Sequence, residues 1–239
     1  MLNEIKVSQI LFLDVETVPQ YQNYAQLPDE MKHFWERKAK FLARNDERPE
    51  ELYSRAGIYA EFGKIICIST GFFYVQNGKR AFKIKSFYGD NEHQLLLDFA
   101  QLLSSSALKN KLLCAHNGKE FDFPYLGRRM LIHGIMLPDP LQIAGKKPWE
   151  VKHLDTLELW KFGDFKHYTS LDLLAYLFKI PSPKSDLDGS MIYQTYWEEN
   201  DLERIRKYCE KDVITLAQLM LRYKGLPLVE EKAITYLNE

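Results

Sequence analysis

The stretch GKIICISTGFFYVQNGKRAFKIKSFYG, residues 63 to 89, constrains the fold more than any other part of the chain. Two runs rich in β-branched and aromatic residues flank Asn77-Gly78, a dipeptide suited to the left-handed backbone of a two-residue hairpin turn. An isolated hairpin is marginal in water, so this one needs further strands beside it. The apolar run Ile10 to Val15 is the first candidate, and antiparallel pairing there makes the hairpin an extension of one sheet. Helical and extended patterns then alternate. Residues 91 to 106 place Leu95, Leu96, Phe99, Leu102 and Leu103 on one helical face, residues 111 to 115 read as a short strand, and residues 123 to 133 as a helix. HLDTLEL reads as a short strand or strand end, and Thr169 or Ser170 caps a helix through Phe178. Asp201 to Tyr223 closes the pattern as a long helix. This order predicts an α/β fold, a mixed β-sheet flanked by α-helices.

Between the first strand and the hairpin lies a polar, helix-like insertion at about residues 20 to 62. Met31, Phe34, Trp35, Lys38, Phe41 and Leu42 recur at helical spacing among Lys32, Arg37, Lys40 and Arg44. This pattern reads as a docked amphipathic helix with a solvated basic face. A second helical piece is expected from Pro49 to about Ala56. With 239 residues, 46% hydrophobic and 27% charged, the chain can bury a large core without staples. We expect a single domain over residues 1 to 239 with a C-terminal tail at 224 to 239. The longest uncharged run, Ile65 to Gly78, has 14 residues and is too short to span a bilayer, so a cytoplasmic protein is expected. Cys67, Cys114 and Cys209 lack CxxC spacing and even number, which argues against a disulfide framework and a zinc site. A net charge of −1 exerts no global pull on a polyanion, so such a partner needs a local basic surface or metal ions.

The informative residues are acids. In LFLDVETVP, Asp14 and Glu16 are one residue apart on a strand and project to one face, where two anions repel unless a cation lies between them. The plain alternative is a strand running out into a solvated turn ended by Pro19. AHNGKEFDFPYL places Asp122 just past a strand and turn, at a helix start, where it can also serve as a cap or first-turn acid. In RKYCEKDVITL, Tyr208 and Asp212 are one helical turn apart, and Asp212 borders Val213 and Leu216 at a core edge. Spacing alone is a weak signal, since Tyr168/Asp172 and Asp186/Asp188 repeat the same patterns. For the first pair, Ser170 starts the helix and leaves Tyr168 outside it; the second pair sits in a polar loop.

Taken together and in this order, LDVET, HNGKEFD and YCEKD resemble the motifs of the DEDD superfamily of 3′–5′ exonucleases. The tyrosine-containing branch, typified by the exonuclease domain of family B DNA polymerases, is the most similar. HLDTLEL and SLDLLAYL fall in the expected order between them, and SDLDGSMI resembles stand-alone bacterial relatives. The resemblance spans roughly residues 8 to 223. It implies a ribonuclease H-like fold and two divalent metal ions, Mg²⁺ or Mn²⁺, held by Asp14, Glu16, Asp122 and Asp212. Hard cations of this kind favour carboxylate oxygens, and a pair roughly 4 Å apart can flank one scissile phosphate. Tyr208, an ordinary phenol with a pKa near 10, is then expected to orient the attacking water rather than act as a base. The implied activity is hydrolysis of the terminal phosphodiester at the 3′ end of single-stranded DNA or RNA, DNA favoured, releasing nucleoside 5′-monophosphates. With 27 residues after Asp212, no polymerase palm or thumb is expected. The long insertion departs from the family pattern and bears on the substrate channel.

By the same resemblance, Thr17 and Val18 approach the terminal nucleotide, and Asn117 and Phe121 contact the next one, Phe121 against a base. Ordinary packing is the alternative for each. His116 is read as satisfying local backbone, and His153 and Asp155 as lining the cleft behind the ligands. Lys119, Arg128, Lys146, Lys147 and Lys152 are read as a scattered solvated face or as phosphate contacts. Two other functions fit the same residues: a catalytically silent relative that binds nucleic acid or a protein, and a small-molecule phosphatase. The presence of all four acids and the tyrosine weighs against silence.

Overall fold

The computed structural model describes residues 4–108, 110–164, 168–181 and 187–238; Asp186 lies outside them. Six strands among the described residues form one mixed sheet in the order β5-β4-β1-β2-β3-β6. β1 (Ile10–Pro19), β2 (Gly63–Gln76) and β3 (Lys79–Tyr88) run antiparallel in sequence. β4 (Leu112–Ala115) joins β1 in parallel, β5 (Leu154–Asp155) joins β4, and β6 (Ile234–Tyr236) joins β3. The hairpin turn forms as its chemistry dictates, with Asn77 at φ 51° and Gly78 at φ 73°, the doubly left-handed turn whose twist matches the strands.

The helices between the strands are α1 (Asp29–Leu42) and α2 (Pro49–Leu52) in the insertion, then α3 (Glu92–Leu103) and α4 (Asp122–Ile132). After β5 come α5 (Thr156–Lys161), α6 (Leu171–Leu177), α7 (Ile192–Trp197) and α8 (Leu202–Tyr223). Ser170 accepts the Leu173 N–H and Asp201 the Arg204 N–H, which starts α6 and α8 at their capping residues. Side-chain alternation on β1 sorts the two layers. Leu11, Leu13 and Val15 pack against Leu96, Phe99, Phe123 and Leu126 of α3 and α4. Ile10 and Phe12 face the opposite way, against Val213, Leu216, Ala217 and Met220 of α8. The two acids that follow Phe12 on that face therefore point toward α8.

Three expectations need correction. β1 does not end in a solvated turn after Val15; it stays paired with β2 through Pro19, with a register shift between Glu16 and Thr17. The C-terminal tail contributes an edge strand, β6, fastened by Asn238, which accepts the Ser86 N–H at 2.7 Å and donates to its carbonyl at 2.9 Å. The apolar stripe of α1 is split. Trp35 and Ala39 are buried, Met31 and Leu42 pack beside them, and Phe34 and Phe41 are exposed.

A buried ion pair ties the insertion to the sheet. Glu92 accepts the Ile65 N–H at 2.7 Å and the Arg129 Nε–H at 2.8 Å, while Arg129 Nη1 donates to Ala60 O at 2.9 Å. Burial pushes the Glu92 carboxyl up, but the Arg129 hydrogen bond and charge, the Ile65 N–H and His133 together bring it below the usual range. Glu92→Ala leaves the Arg129 guanidinium buried without its anion and is expected to cost about 3–5 kcal/mol, read as a lowered urea midpoint. A loss under about 1 kcal/mol would show that this pair is not a structural tie.

Candidate active site

Asp14 and Glu16 meet α8 where its second turn crosses β1. The donor atoms of Asp14, Glu16 and Cys209 all lie within 4.8 Å of one another. Cys209 donates its S–H to the Asp14 carbonyl at 3.4 Å, which clamps α8 to β1. Burial and a hydrogen bond with Cys67 hold this thiol far above its ordinary pKa, so it stays protonated and is no ligand for a hard ion. Asp212 stands one turn beyond Cys209 and shares a hydrogen bond with Tyr208. Asp122 enters from the first turn of α4, is only 4% exposed, and accepts hydrogen bonds from its own N–H and that of Val15.

The four carboxylates act on one another. Burial and the charges of Asp14, Asp212 and Asp122 raise Glu16 well above the usual range. Burial and then Asp14 raise Asp122 well above it too. Asp14 is pushed up to about 6, mainly by burial, and Asp212 to about 8 by burial and the charge of Asp14. Asp14 Oδ2 is buried and has no hydrogen-bond partner among the described residues. An orphaned carboxylate oxygen amid three further acids is a costly arrangement unless cations complete it. The donor set is all oxygen, and the residues present fit Mg²⁺ or Mn²⁺ better than zinc.

Local chemistry sets the approach of Asp122. Asn117 takes φ 64°, and a Cβ on Gly118 would stand 2.3 Å from Ala115 Cβ, so the HNG turn needs this glycine for close approach. Asp155 accepts the N–H groups of Asn117 at 3.0 Å, Lys119 at 3.1 Å and Leu157 at 2.9 Å. It therefore binds the turn to the start of α5, a scaffolding role the sequence left unread, and its charge still raises Asp122. His153 does not face the cleft: its ring nitrogens meet the Leu113 N–H at 3.2 Å and the Pro140 carbonyl at 2.6 Å. His116 has both nitrogens engaged, with Thr156 Oγ1 at 2.9 Å and Thr169 O at 2.8 Å.

Of the four residues expected to touch nucleotides, Val18 has its side chain fully buried with Ile66, Cys67 and Ile205, which leaves only its backbone to approach one. The strand alternation that aims Asp14 and Glu16 at α8 sends Val18 into the same interior. Thr17, on the other face, shares a hydrogen bond with Tyr125. Phe121 is half-buried, its ring 5.3 Å from that of Tyr125, and Asn117 is half-exposed in the turn before Asp122. Among the basic residues, Lys119 pairs with Glu158 at 2.8 Å and, with Arg128 and Lys146, borders an apolar groove of about 250 Å³ beside α4. Lys147 lies over the Trp149 ring at 5.2 Å, and Lys152 is exposed.

Tyr168, outside α6, is 66% exposed and lies within reach of the acids' charges. Its ring packs edge-on to His116 with centroids 6.1 Å apart. Burial raises its phenol, followed by the charges of Asp122, Asp14, Asp212 and Asp155. Asp172 in the first turn of α6 adds its charge to those acting on Asp212. Neither contact leaves a local trace in the chain, because both depend on where α6 is laid down.

Residues 58–229 match a family described as a predicted 3′–5′ exonuclease related to the exonuclease domain of PolB. The chain belongs to this family. The matched span contains Asp122, Tyr208 and Asp212, while β1 and most of the insertion precede it. No curated protein matches the chain. Among solved structures, the family B DNA polymerase of the hyperthermophilic archaeon Pyrobaculum calidifontis is similar, with a TM-score of 0.51 and 16% identity. The match covers 89% of this chain and 24% of that polymerase. The likeness shows the fold: the six-stranded mixed sheet flanked by helices is the ribonuclease H-like architecture of the PolB exonuclease domain. No helix among the described residues is long and apolar enough to cross a membrane.

Proposed function

We propose that the chain is a metal-dependent 3′–5′ exonuclease that removes nucleoside 5′-monophosphates from single-stranded nucleic acid, DNA in preference to RNA. The observation that carries this reading is the Asp14–Glu16 pair, with donor atoms within 4.8 Å and Asp14 Oδ2 left without a hydrogen-bond partner, on which the charges of Asp122 from α4 and Asp212 from α8 also act. Membership of the exonuclease family supports it. Asp14, Glu16, Asp122 and Asp212 would hold two divalent ions, which when bound supply charge neutralisation at the scissile phosphate and a water acidic enough to attack at neutral pH. The P–O3′ bond breaks, the water oxygen joins phosphorus, and a proton passes to the leaving 3′ oxygen.

Tyr208 is held far above its ordinary pKa by burial first and then by Asp212, Glu16 and Asp14. Its phenol therefore remains a hydrogen-bond donor across the working pH range, suited to orienting water and not to removing its proton. On this reading Thr17, next to Glu16 in β1, and Asn117 and Phe121, in the turn that leads to Asp122, would position the terminal nucleotides. Tyr208→Phe is expected to lower kcat about 10²-fold with little change in KM, and to leave the pH profile unshifted. A profile that loses its alkaline limb in this variant would instead make the tyrosine a base.

Incubation with Mn²⁺ and a single strand labelled at either end tests the activity. A 5′ label should appear in a descending ladder and a 3′ label in mononucleotide from the first time point. Binding without shortening would identify a silent relative, and inertness toward both strands would remove nucleic acid as the substrate.

A further inference from the structure

The insertion carries a second surface that the acid cluster does not use. α1 directs Trp35 inward, where its ring meets Tyr53 and Phe62 edge-on and its Nε1–H donates to Pro49 O at 2.8 Å. On the outer side Phe34 is 53% exposed and Phe41 88% exposed. They are seven residues apart in sequence, hence two turns apart on one face, with Arg37 and Lys38 between them. With Met31, Glu61 and Phe62 these side chains line an open groove of about 650 Å³.

Charge and position together select an occupant. From Arg37 to Arg44 the helix and its end carry Arg37, Lys38, Lys40 and Arg44 and no acid. The α1 acids sit elsewhere: Asp29 and Glu30 in the first turn, and Glu36 bound by the Tyr24 hydroxyl at 2.7 Å. Among the described residues Glu61 is the one acid lining the groove. Two exposed phenyl rings bracketing two cations form a platform on which unpaired bases stack while backbone phosphates meet the basic groups. Strand pairing links the edge of this groove at Phe62 to the strand that carries Asp14 and Glu16. Gly63, next to Phe62, pairs with Pro19, three residues beyond Glu16 on β1 or about 10 Å along the strand. Between them Tyr125 hydrogen-bonds to Thr17 and lies within the field of Glu61.

We propose that the outer face of α1 binds the single strand several nucleotides upstream of the 3′ end held at the acids. The surface precedes the span matched by the exonuclease family, as β1 does. The identity of the strand rests on the nuclease reading, but the groove engages it at a separate place and can be tested without hydrolysis.

Fluorescence anisotropy in EDTA, with 5′-fluorescein oligothymidylates of about 15 and about 4 nucleotides, reads this surface directly. Wild type should bind the longer strand at least about 10-fold more tightly than the shorter. Phe34→Ala/Phe41→Ala should weaken the longer strand about 10-fold or more and leave the shorter within about 2-fold. Arg37→Glu/Lys38→Glu should do the same and flatten the salt dependence by about 0.7 per contacted phosphate. Unchanged binding of the longer strand in both double variants overturns the proposal. So does a wild-type dimer that Phe34→Ala/Phe41→Ala converts to monomer, which would assign the groove to a second copy. Length-dependent binding lost in the variants, from a wild type that shortens no strand in Mn²⁺, would sink the nuclease reading and keep this surface. Rapid shortening with both variants binding as wild type would do the reverse.

Discussion

Asp14→Asn and Asp212→Asn should each lower metal-dependent shortening of a labelled strand by at least about 10³-fold, about 4 kcal/mol at the transition state. Each should also melt higher than wild type when metal-free. The two halves have one cause. The amide keeps the shape of the carboxyl but removes a charge that cations need and that its neighbours repel. Asp212 feels Asp14 and Asp172, and Glu16 feels Asp14, Asp212 and Asp122, so loss of one charge relieves several. Turnover and a thermal melt in EDTA on the same preparations check both halves. Near-wild-type turnover by either variant ends the assignment. A lower melting point in EDTA would mean that the folded protein does not strain against this cluster.

The same electrostatics set a pH dependence for the metal-free protein. The acids have folded pKa values raised above their unfolded ones: Asp14 from 3.8 to about 6 and Asp212 from 3.8 to about 8. Over that interval the folded chain holds protons the unfolded chain has released, so stability falls as pH rises. Asp14 alone accounts for roughly 3 kcal/mol of the loss once pH exceeds its folded pKa. His116 and His153 oppose this at the acid end. Burial lowers both from 6.5, so they add stability as pH rises, but only up to that value. Glu92, lowered from 4.5, changes stability only below it. The clean window is therefore about pH 6.5 to 8, where calorimetry in EDTA should show a falling melting temperature. Excess Mg²⁺ or Mn²⁺ should raise the melting temperature most at the upper end of that window, since binding is linked to folding and displaces protons there. A melting temperature that metal leaves unchanged would remove the cations, and one flat across the window in EDTA would remove the strain.

How far the chain revealed itself follows from the range of each interaction. The hairpin is legible because Asn77-Gly78 and its flanking runs are contiguous, and α8 because its cap, Asp201, and its apolar face lie within one segment. The gathering of Asp14, Glu16, Asp122 and Asp212 was expected from family resemblance, since no local pattern states that β1, α4 and α8 meet. The burial of the Val18 side chain has a physical reason that the motif does not state. The residue follows Thr17 in a motif, but strand alternation turns consecutive residues to opposite sides, and one side is core. On α1, spacing marked one apolar stripe, and only docking onto Tyr53 and Phe62 separated Trp35, buried, from Phe34 and Phe41, exposed.

The sequence by itself determined the elements, their order and the acid-bearing motifs, because turn chemistry, capping and hydrophobic period act over a few residues. Only the tertiary structure decided which face each motif presents and who its neighbours are. Tyr168 meets His116, Asp155 binds the turn before Asp122, and residues 234 to 236 close the sheet edge. Those contacts join residues dozens of positions apart, and packing of the whole chain, not any one segment, selects them.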